Sequence, residues 1–188
     1  MKIAVLGGRF DPIHVGHLLI ARQVLEFDPS LDKVIFVPAY EHHWKPIQAS
    51  PEDRIQMIKS VLEDKMEVSD IEIKRKGVSY SIDTIKALKE ETNAEIFWVV
   101  GSDIVREFDR WKNTEELVKE ATFLVFPRDP YKLPENLPEG FKLVESSTLQ
   151  VANFSSTVIR ERIKDGKTIK YLVPEKVEQY IKENNLYV

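Results

Sequence analysis

Two histidines beside a glycine pair are the residues of this chain best suited to phosphate chemistry. His14 and His17 are three residues apart, so at a helix start both lie on one face, and Gly16 between them would keep that surface open. Imidazoles can donate hydrogen bonds to phosphate oxygens, and two such donors suit a phosphoryl or nucleotidyl transfer. The pattern also allows a zinc pair, or one capping and one core histidine, although His-x-x-His without further ligands gives little support for a metal.

The elements that would position these histidines can be read from the start of the sequence. Ile3 to Leu6 form an apolar run that is short enough for a buried strand. Gly7 and Gly8 are then expected to let the chain turn tightly, with no Cβ between the backbone and a bound group. The positions that follow with helical spacing are Val15, Leu18, Leu19 and Arg22. A strand, a glycine turn and a helix start predict an anion site, because free N–H groups and the positive helix end favour phosphate.

The turn and the histidines together resemble a known signature. The letters G-G-R-F-D-P-I-H-V-G-H, at residues 7–17, are similar to the G-x-F-D-P-x-H-x-G-H signature of the nucleotidyltransferase superfamily that shares its H-x-G-H motif with class I aminoacyl-tRNA synthetases. The resemblance implies that the two histidines are catalytic and stabilise charge on the α-phosphate of ATP. It also implies ATP contacts from the residues of the turn, namely Gly7, Gly8, Arg9 and Phe10. Asp11 is expected to form the turn rather than to act as a base.

A second motif, F-S-S-T-V-I-R at residues 154–160, combines hydroxyls with a guanidinium at a helix start. The hydroxyls can cap the helix, and Arg160 can fork onto phosphate oxygens. Taken alone, the segment could also be a capped helix with a solvated arginine, which is the less favoured of the two interpretations. It resembles the I-S-S-T-x-I-R motif of the superfamily, with Phe154 in place of the first residue. The resemblance implies that Ser155, Ser156 and Arg160 bind the ATP phosphates, and that Arg160 is catalytic.

A third segment would hold the nucleotide that accepts the adenylyl group. S-Y-S-I-D-T, at residues 79–84, is consistent on its own with a helix cap and a core tyrosine. It is similar to the S-Y-T-x-D-T motif of bacterial nicotinate-nucleotide adenylyltransferases, which implies that Tyr80, Ser81 and Thr84 contact the pyridine ring and its carboxylate. Trp111 matches a tryptophan of that family that stacks on the ring, although a half-buried core aromatic would also explain it.

Two further segments follow predicted strands. Gly101 and Asp103 come after an apolar strand, where the carboxylate could accept from ribose hydroxyls or cap the next helix. The family's G-x-D segment matches here and implies nucleotide contact. Residues 40–46 depart from the family's P-P-H-K or P-P-H-R sequence, because Trp44 occupies the place of the histidine. Lys45 keeps the basic position, so we expect it to assist at the ATP phosphates.

Composition and charge are those of an ordinary globular protein. The 188 residues are 43% hydrophobic and 31% charged, enough for one well-packed domain. A net charge of −4 argues against nucleic-acid binding, which usually needs a basic face. The sequence has no cysteine, which fits a reducing compartment. No apolar run approaches the roughly 18 residues of a transmembrane helix, and no signal-peptide pattern is visible, so we expect a cytoplasmic protein without membrane contacts.

Strands and helices alternate along the chain, and this alternation predicts an α/β fold. We expect a Rossmann-like, doubly wound parallel sheet with helices on both faces and a C-terminal helical tail. The strands predicted after the first lie at residues 33–38, 95–100, 122–126 and 141–146. We expect a single nucleotidyltransferase domain over residues 1–188, with the Rossmann-like core at about 1–126 and a closing part at about 141–188.

The resemblance implies an adenylyltransferase of NAD biosynthesis. It would join ATP and nicotinate mononucleotide into deamido-NAD and pyrophosphate, by direct in-line attack on the α-phosphate of ATP. Mg²⁺ would arrive with ATP, mostly hydrated, so we expect no protein metal site. The alternatives are a nicotinamide mononucleotide adenylyltransferase, another nucleotidyltransferase such as a phosphopantetheine adenylyltransferase, and a nucleotide-sensing module without turnover. The sequence leaves the choice between acid and amide, and assembly into a homo-oligomer, open.

Overall fold

The fold is built on a sheet of six strands. A computed structural model describes residues 1–41, 46–128, 131, 133–151 and 153–188 of the protein. The strands are β1 (Lys2–Gly8), β2 (Lys33–Pro38), β3 (Met66–Val68), β4 (Glu95–Gly101), β5 (Thr122–Phe126) and β6 (Phe141–Leu143). The helices are α1 (Val15–Phe27), α2 (Pro51–Lys59), α3 (Ile71–Arg75), α4 (Ser81–Thr92), α5 (Ser102–Glu107), α6 (Thr114–Glu120), α7 (Ser156–Lys164) and α8 (Glu175–Glu183). Over these described ranges, no helix is both long enough and apolar enough to cross a bilayer.

The strand order is β3-β2-β1-β4-β5-β6, and all neighbouring strands run parallel. β1 lies near the centre, where Ala4 is paired with Val34 of β2 on one side and with Phe97 of β4 on the other. The chain first builds the sheet outward from β1 through β2 and β3, and it then crosses to the other side with β4. Ligands bind where the winding of such a sheet reverses, outside the carboxyl ends of β1 and β4. The predicted doubly wound parallel sheet is confirmed.

Helices cover both faces of the sheet, as predicted, and each face has its own apolar core. Successive strand residues point to opposite faces, so Ala4 and Leu6 of β1 face one core while Ile3 and Val5 face the other. The first core is completed from α1, α2, α7 and α8 by Val24, Met57, Ile159 and Val177. The second core is completed from α4 and α6 by Ile82, Ile85 and Leu117. Each fully buried aliphatic side chain contributes about 1.5–3 kcal/mol, and this burial holds the helices on the sheet.

The sheet and its helices extend beyond the expected core boundary near residue 126. Phe141 of β6 is paired with Phe123 of β5, so the sixth strand belongs to the same sheet. α8 buries Val177 and Ile181 against the core that also contains Ala4 of β1. The last two helices are therefore part of the layer that covers one face of the sheet.

Candidate active site

A cavity of about 760 Å³ opens at the carboxyl ends of β1, β4 and β5. Its walls include Gly8 at the end of β1, Gly101 at the end of β4, and Phe126 at the end of β5. His14 and His17, at the start of α1, also line it. The cavity lies at the point where the winding of the sheet reverses, and its volume suits a ligand of nucleotide size.

The glycine pair makes room for neighbouring side chains and does not itself form the turn. β1 continues through Gly8, whose carbonyl accepts from the N–H of Ala39 at 2.9 Å. The left-handed residue of the turn is Phe10, with φ of 48°. A Cβ on Gly7 would lie 2.8 Å from Cζ2 of Trp98, so this position needs glycine because the indole packs against the backbone. The expectation that the two glycines turn the chain is therefore wrong.

His14 and His17 form a stacked pair at the start of α1. Their ring centroids are 3.6 Å apart and their planes differ by 13°. The backbone N–H of His14 donates to Nδ1 of His17 at 3.2 Å, and the edge of the Phe10 ring supports the His17 ring from 4.9 Å. Because Nδ1 of His17 accepts a hydrogen bond, the neutral ring carries its proton on Nε2. The pair therefore offers an imidazole N–H donor at the cavity wall.

Both imidazoles are neutral at physiological pH. Burial lowers the pKa of His14 to about 4, and the positive charge of Arg128 adds to this effect. Burial also lowers the pKa of His17 well below its usual value, with further contributions from His14, Arg128 and Arg9. A neutral imidazole still donates one hydrogen bond. The pair is therefore suited to stabilise developing charge on phosphate oxygens as fixed hydrogen-bond donors.

Arg128 and Arg9 place positive charge beside the histidines. Both line the cavity. Arg128 follows β5, its backbone N–H donates to Oγ of Ser102 at 2.9 Å, and its guanidinium lies 3.5 Å from Asp103. Burial and the neighbouring charge of Arg160 lower the pKa of Arg9. Arg128 was not predicted from the sequence. Its place just beyond a predicted strand could have indicated it, because loops at the carboxyl ends of strands line the crevice.

The start of α7 packs directly on the turn that follows β1. The ring centroid of Phe154 lies 6.0 Å from that of His14, and a Cβ on Gly16 would lie 3.0 Å from Cβ of Phe154. Oγ of Ser156 donates to the carbonyl of Pro12 at 3.0 Å. Gly16 lies on the cavity wall between the two histidines, and the absence of a side chain there makes room for Phe154. The two segments predicted to bind phosphate are in contact.

Arg160 points into the protein. Its Nη1 donates to the carbonyl of Asp11 at 2.6 Å, its Nη2 donates to Oγ1 of Thr157 at 3.3 Å, and its side chain is 8% exposed. Asp11 is fully buried, and its carboxylate accepts from the backbone N–H groups of Gln48 and Ala49 at 2.8 and 3.0 Å. Asp11 is therefore the centre of a buried network as well as a residue of the turn, and Arg160 holds that turn from α7.

The end of the cavity away from α7 is aromatic. Tyr80, Ser81 and Trp111 line it, and Nζ of Lys112 lies 4.3 Å from the centre of the Tyr80 ring. Ser81 is the first residue of α4, and the N–H groups of a first helical turn carry partial positive charge. This end can therefore receive a flat ring that carries a negative substituent.

Thr84 supports this aromatic end from behind. It is fully buried, its hydroxyl donates to Oε1 of Glu72 at 2.5 Å, and it accepts from Nη2 of Arg75 at 3.0 Å. Glu72 does line the cavity, and burial raises the pKa of its carboxyl. Sequence reasoning missed Glu72 because the residue lies among alternating apolar positions that gave no sign of a buried carboxyl.

Asp103 brings a second carboxylate to the cavity, beside the end of β4. Its Oδ1 is buried and has no hydrogen-bond partner among the described residues. Buried acceptors are normally satisfied, but this oxygen is packed against Gly101, so it is the residue as a whole, and not this atom, that the structure places on the cavity wall. A Cβ on Gly101 would collide with the same oxygen, which explains why glycine precedes this carboxylate by two residues.

The structure brings most of the predicted site residues to one cavity. The predicted residues that line it are Gly7, Gly8, Arg9, His14, His17, Tyr80, Ser81, Gly101, Asp103 and Trp111. The predicted residues that the structure describes but does not place on its wall are Phe10, Thr84, Ser155, Ser156 and Arg160. The prediction for Lys45 lies outside the described residues. Within the described ranges, no group of three or more His, Asp or Glu side chains could hold a metal ion.

Known proteins resemble this chain in sequence over nearly its whole length. A family model described as Cytidylyltransferase-like matches residues 5–162. The protein named "Probable nicotinate-nucleotide adenylyltransferase" from Synechococcus sp. (strain JA-2-3B'a(2-13)) is 38% identical, over 100% of this chain and 97% of that protein. The protein of the same name from Halalkalibacterium halodurans is 40% identical, over 99% of this chain and 91% of that protein.

Solved structures show the same fold at lower identity. The structure titled Plasmodium falciparum nicotinic acid mononucleotide adenylyltransferase complexed with NaAD superposes with a TM-score of 0.82 at 21% identity, covering 99% of this chain and 97% of that one. A second structure of the Plasmodium falciparum protein, complexed with APC, gives a TM-score of 0.81 at 20% identity, with 99% and 96% covered. The fold therefore extends to distant chains.

Proposed function

The chain belongs to the nicotinate-nucleotide adenylyltransferase family, and we propose that it joins ATP to nicotinate mononucleotide, giving deamido-NAD and pyrophosphate. The observation that carries this proposal is the single cavity lined both by the neutral, stacked pair His14 and His17 and by the aromatic residues Tyr80 and Trp111. One end of the cavity suits phosphate oxygens, and the other suits a pyridine ring.

The reaction requires alignment of two phosphates and needs no protein nucleophile. A phosphate oxygen of the mononucleotide attacks the α-phosphorus of ATP in line. The new P–O bond forms while the bond from the α-phosphorus to the α,β-bridging oxygen breaks, and pyrophosphate leaves with that oxygen and its electron pair. The attacking oxygen is already ionised at neutral pH, so no base has to remove a proton. The protein contributes positioning and stabilisation of charge.

The histidines and arginines supply that stabilisation. His14 and His17 donate hydrogen bonds to the α-phosphate and the bridging oxygen, where charge grows in the transition state. Arg128 and Arg9 offset the charge of the two approaching phosphates, and a guanidinium can bind two phosphate oxygens at once. Arg160 contributes its positive charge from behind the turn. This charge lowers the pKa of Arg9, which lines the cavity, so the electrostatic field of Arg160 reaches the cavity wall.

Most of the remaining proposed ATP contacts come from residues at the carboxyl ends of the strands. Gly7 and Gly8 line the cavity at the end of β1, so the nucleotide would lie beside this stretch of backbone and beside the Trp98 ring that packs on Gly7. Asp103 lies on the cavity wall, and its carboxylate would accept from a ribose hydroxyl. Ser155 and Ser156 lie at the start of α7, where they would assist in holding the outgoing pyrophosphate, with Lys45 as a further cation. Ser156 would do so through its backbone, because its hydroxyl donates to the carbonyl of Pro12.

The aromatic end favours the acid over the amide of the pyridine nucleotide. Ser81 begins a helix of 12 residues, so its first turn offers partial positive charge to a carboxylate. Trp111 stacks on the pyridine ring, and Tyr80 closes its other side. Glu72 accepts from the Thr84 hydroxyl and lies near the Arg75 guanidinium, and these contacts offset the repulsion that its carboxylate would exert on a bound nicotinate.

Mg²⁺ enters with ATP in this proposal. The ion keeps several waters and binds mainly through the phosphate oxygens. When bound, it neutralises part of the charge on the triphosphate. All positioning of the two nucleotides is assigned to the chain's own residues.

A product assay tests the proposal. ATP and Mg²⁺ are offered with nicotinate mononucleotide or with nicotinamide mononucleotide, and both the dinucleotide and pyrophosphate are quantified. We expect equal amounts of deamido-NAD and pyrophosphate, with kcat/KM for the acid exceeding that for the amide. A preference for the amide would contradict the role of the α4 N-terminus. Pyrophosphate release with phosphopantetheine but with neither pyridine nucleotide would contradict the proposed function.

A further inference from the structure

The residues after α8 bring a tyrosine to the turn that follows β1. The chain leaves α8, passes through Asn185 and Tyr187 with φ of 50° and 66°, and folds back on itself. The Tyr187 side chain is buried, and its hydroxyl donates to Oδ1 of Asp11 at 2.9 Å. A left-handed backbone is unfavourable for a tyrosine, so the buried ring and its hydrogen bond must hold this conformation in place.

Asp11 links that tyrosine to two other parts of the chain. Its Oδ1 also accepts from the N–H of Ala49, and its Oδ2 accepts from the N–H of Gln48. Its carboxylate lies 3.8 Å from Nη1 of Arg160, and the same nitrogen donates to the Asp11 carbonyl at 2.6 Å. One buried carboxylate therefore sets the position of the turn, of the segment at 48–49 and of Arg160.

We propose that Tyr187 is a positioning residue for adenylyl transfer, and that its hydroxyl orients the Asp11 carboxylate so that Arg160 and the turn carrying Arg9 keep the geometry needed for the triphosphate. The inference rests on the proposed function. Tyr187 touches neither substrate in this scheme, because it does not line the cavity and acts only through Asp11. Its effect belongs to the phosphate end, since its described contacts do not reach Tyr80 or Trp111.

A neighbouring tyrosine supplies a matched control. Tyr180 lies on α8 and also donates to a carboxylate at 2.9 Å, but its acceptor is Oδ1 of Asp53 on α2. Asp53 bonds to Ser50, and within the described part of the chain it makes no hydrogen bond to Arg160 or to the turn. Tyr180→Phe and Tyr187→Phe therefore each remove one tyrosine-to-carboxylate hydrogen bond from the same region, and only the second bond leads to the site.

The test measures steady-state kinetics and ATP affinity for both variants. We expect Tyr187→Phe to lower kcat about tenfold, the effect of one hydrogen bond to a charged group, and to weaken ATP binding in calorimetry about threefold, with KM for nicotinate mononucleotide within about twofold of wild type. Tyr180→Phe should leave all three values within about twofold. A merely structural role for Tyr187 predicts equal losses in both variants or a shift in every parameter, and either result would overturn the proposal.

Two further variants keep the test decisive. In an Arg160→Lys background, Tyr187→Phe should lower kcat much less than in the wild type, because both residues act through Asp11. Additive losses would contradict this linkage.

If Tyr187→Phe fails to fold, Asp11→Asn takes its place, since it weakens the same hydrogen bond from the acceptor side. A folded Asp11→Asn enzyme with wild-type kcat would refute the proposal. If the wild-type protein forms no product from nicotinate mononucleotide, the proposed function is refuted. The ATP affinity of Tyr187→Phe relative to the wild type would still test the role of Tyr187.

Discussion

The imidazole rings of His14 and His17 lie face to face, with centroids 3.6 Å apart. The hydrogen bond from the His14 backbone to Nδ1 of His17 fixes the tautomer of the second ring, so that its N–H lies on Nε2. Burial and the nearby charge of Arg128 make protonation of either ring costly. The pair is therefore arranged as a rigid, uncharged hydrogen-bond donor.

Removal of the His17 donor should affect turnover far more than folding. We expect His17→Ala to lower kcat about 10²–10³-fold, the usual effect of losing one donor to a developing oxyanion. His17→Asn keeps an acceptor near the position of Nδ1 and should restore stability without restoring turnover. Stopped-time product assays and thermal unfolding of both variants check this. Near-normal turnover in either variant would remove His17 from the mechanism.

Acid should destabilise the protein through its buried histidines. The pKa of His14 is about 4 in the folded protein and about 6.5 in the unfolded chain. Between these two pH values, the unfolded chain binds a proton at His14 and the folded protein does not. The free energy of unfolding should be level above about pH 7 and fall between pH 6.5 and 4, with His14 accounting for about 3 kcal/mol. Urea unfolding at a series of pH values measures this. The slope should be smaller for His14→Gln, and an unchanged slope would show that His14 is not the source.

Loss of the Arg128 guanidinium should weaken phosphate binding and raise the pKa values of His14 and His17. Arg128 lowers the pKa of both imidazoles, so Arg128→Ala should raise the His14 and His17 pKa values and increase substrate KM about tenfold or more. Arg162→Ala serves as the control, because Arg162 lies on α7, donates to the carbonyl of Thr168 and does not line the cavity. Kinetics and histidine NMR titrations follow both effects, and equal KM values in the two variants would exclude a role for Arg128 in binding.

A methyl group at Gly7 should reveal the contact with Trp98. The added Cβ would lie 2.8 Å from the indole ring, so we expect Gly7→Ala to lower the free energy of unfolding by about 1–3 kcal/mol through overpacking. Trp98→Phe should cost less in the Gly7→Ala background than alone, because the smaller ring relieves the clash. Chemical unfolding of the two single variants and the double variant measures this coupling. Additive costs would mean that the indole does not cause the clash.

The fold was largely predictable because its signals are local. Strands such as Glu95–Gly101 are short apolar runs buried on both faces, and they alternate with helices whose apolar residues lie on one side. The turn after β1 was less predictable, since the left-handed residue is Phe10 and the need for Gly7 comes from Trp98, which is 91 positions away in sequence. Such packing requirements leave no pattern in the residues beside the turn.

The site was predicted where short motifs carry it and missed where distant contacts complete it. His14, His17, Tyr80 and Trp111 reach the cavity, as their motifs implied. Arg160 was predicted to face phosphate, but its bond to Asp11 turns it inward, and this contact spans 149 positions. Tyr187 lies in no motif, and its role depends on a backbone reversal that the sequence does not signal.

The carboxylate of Asp11 joins segments that are separated by as many as 176 positions along the chain. Closing so large a loop is entropically slow, and contacts of this span generally form after local structure. The protein should therefore recover helical circular dichroism early in refolding and regain catalytic competence only in a later kinetic phase. Newly synthesised chains would likewise reach full activity only after the tyrosine that follows the last helix has been translated and docked.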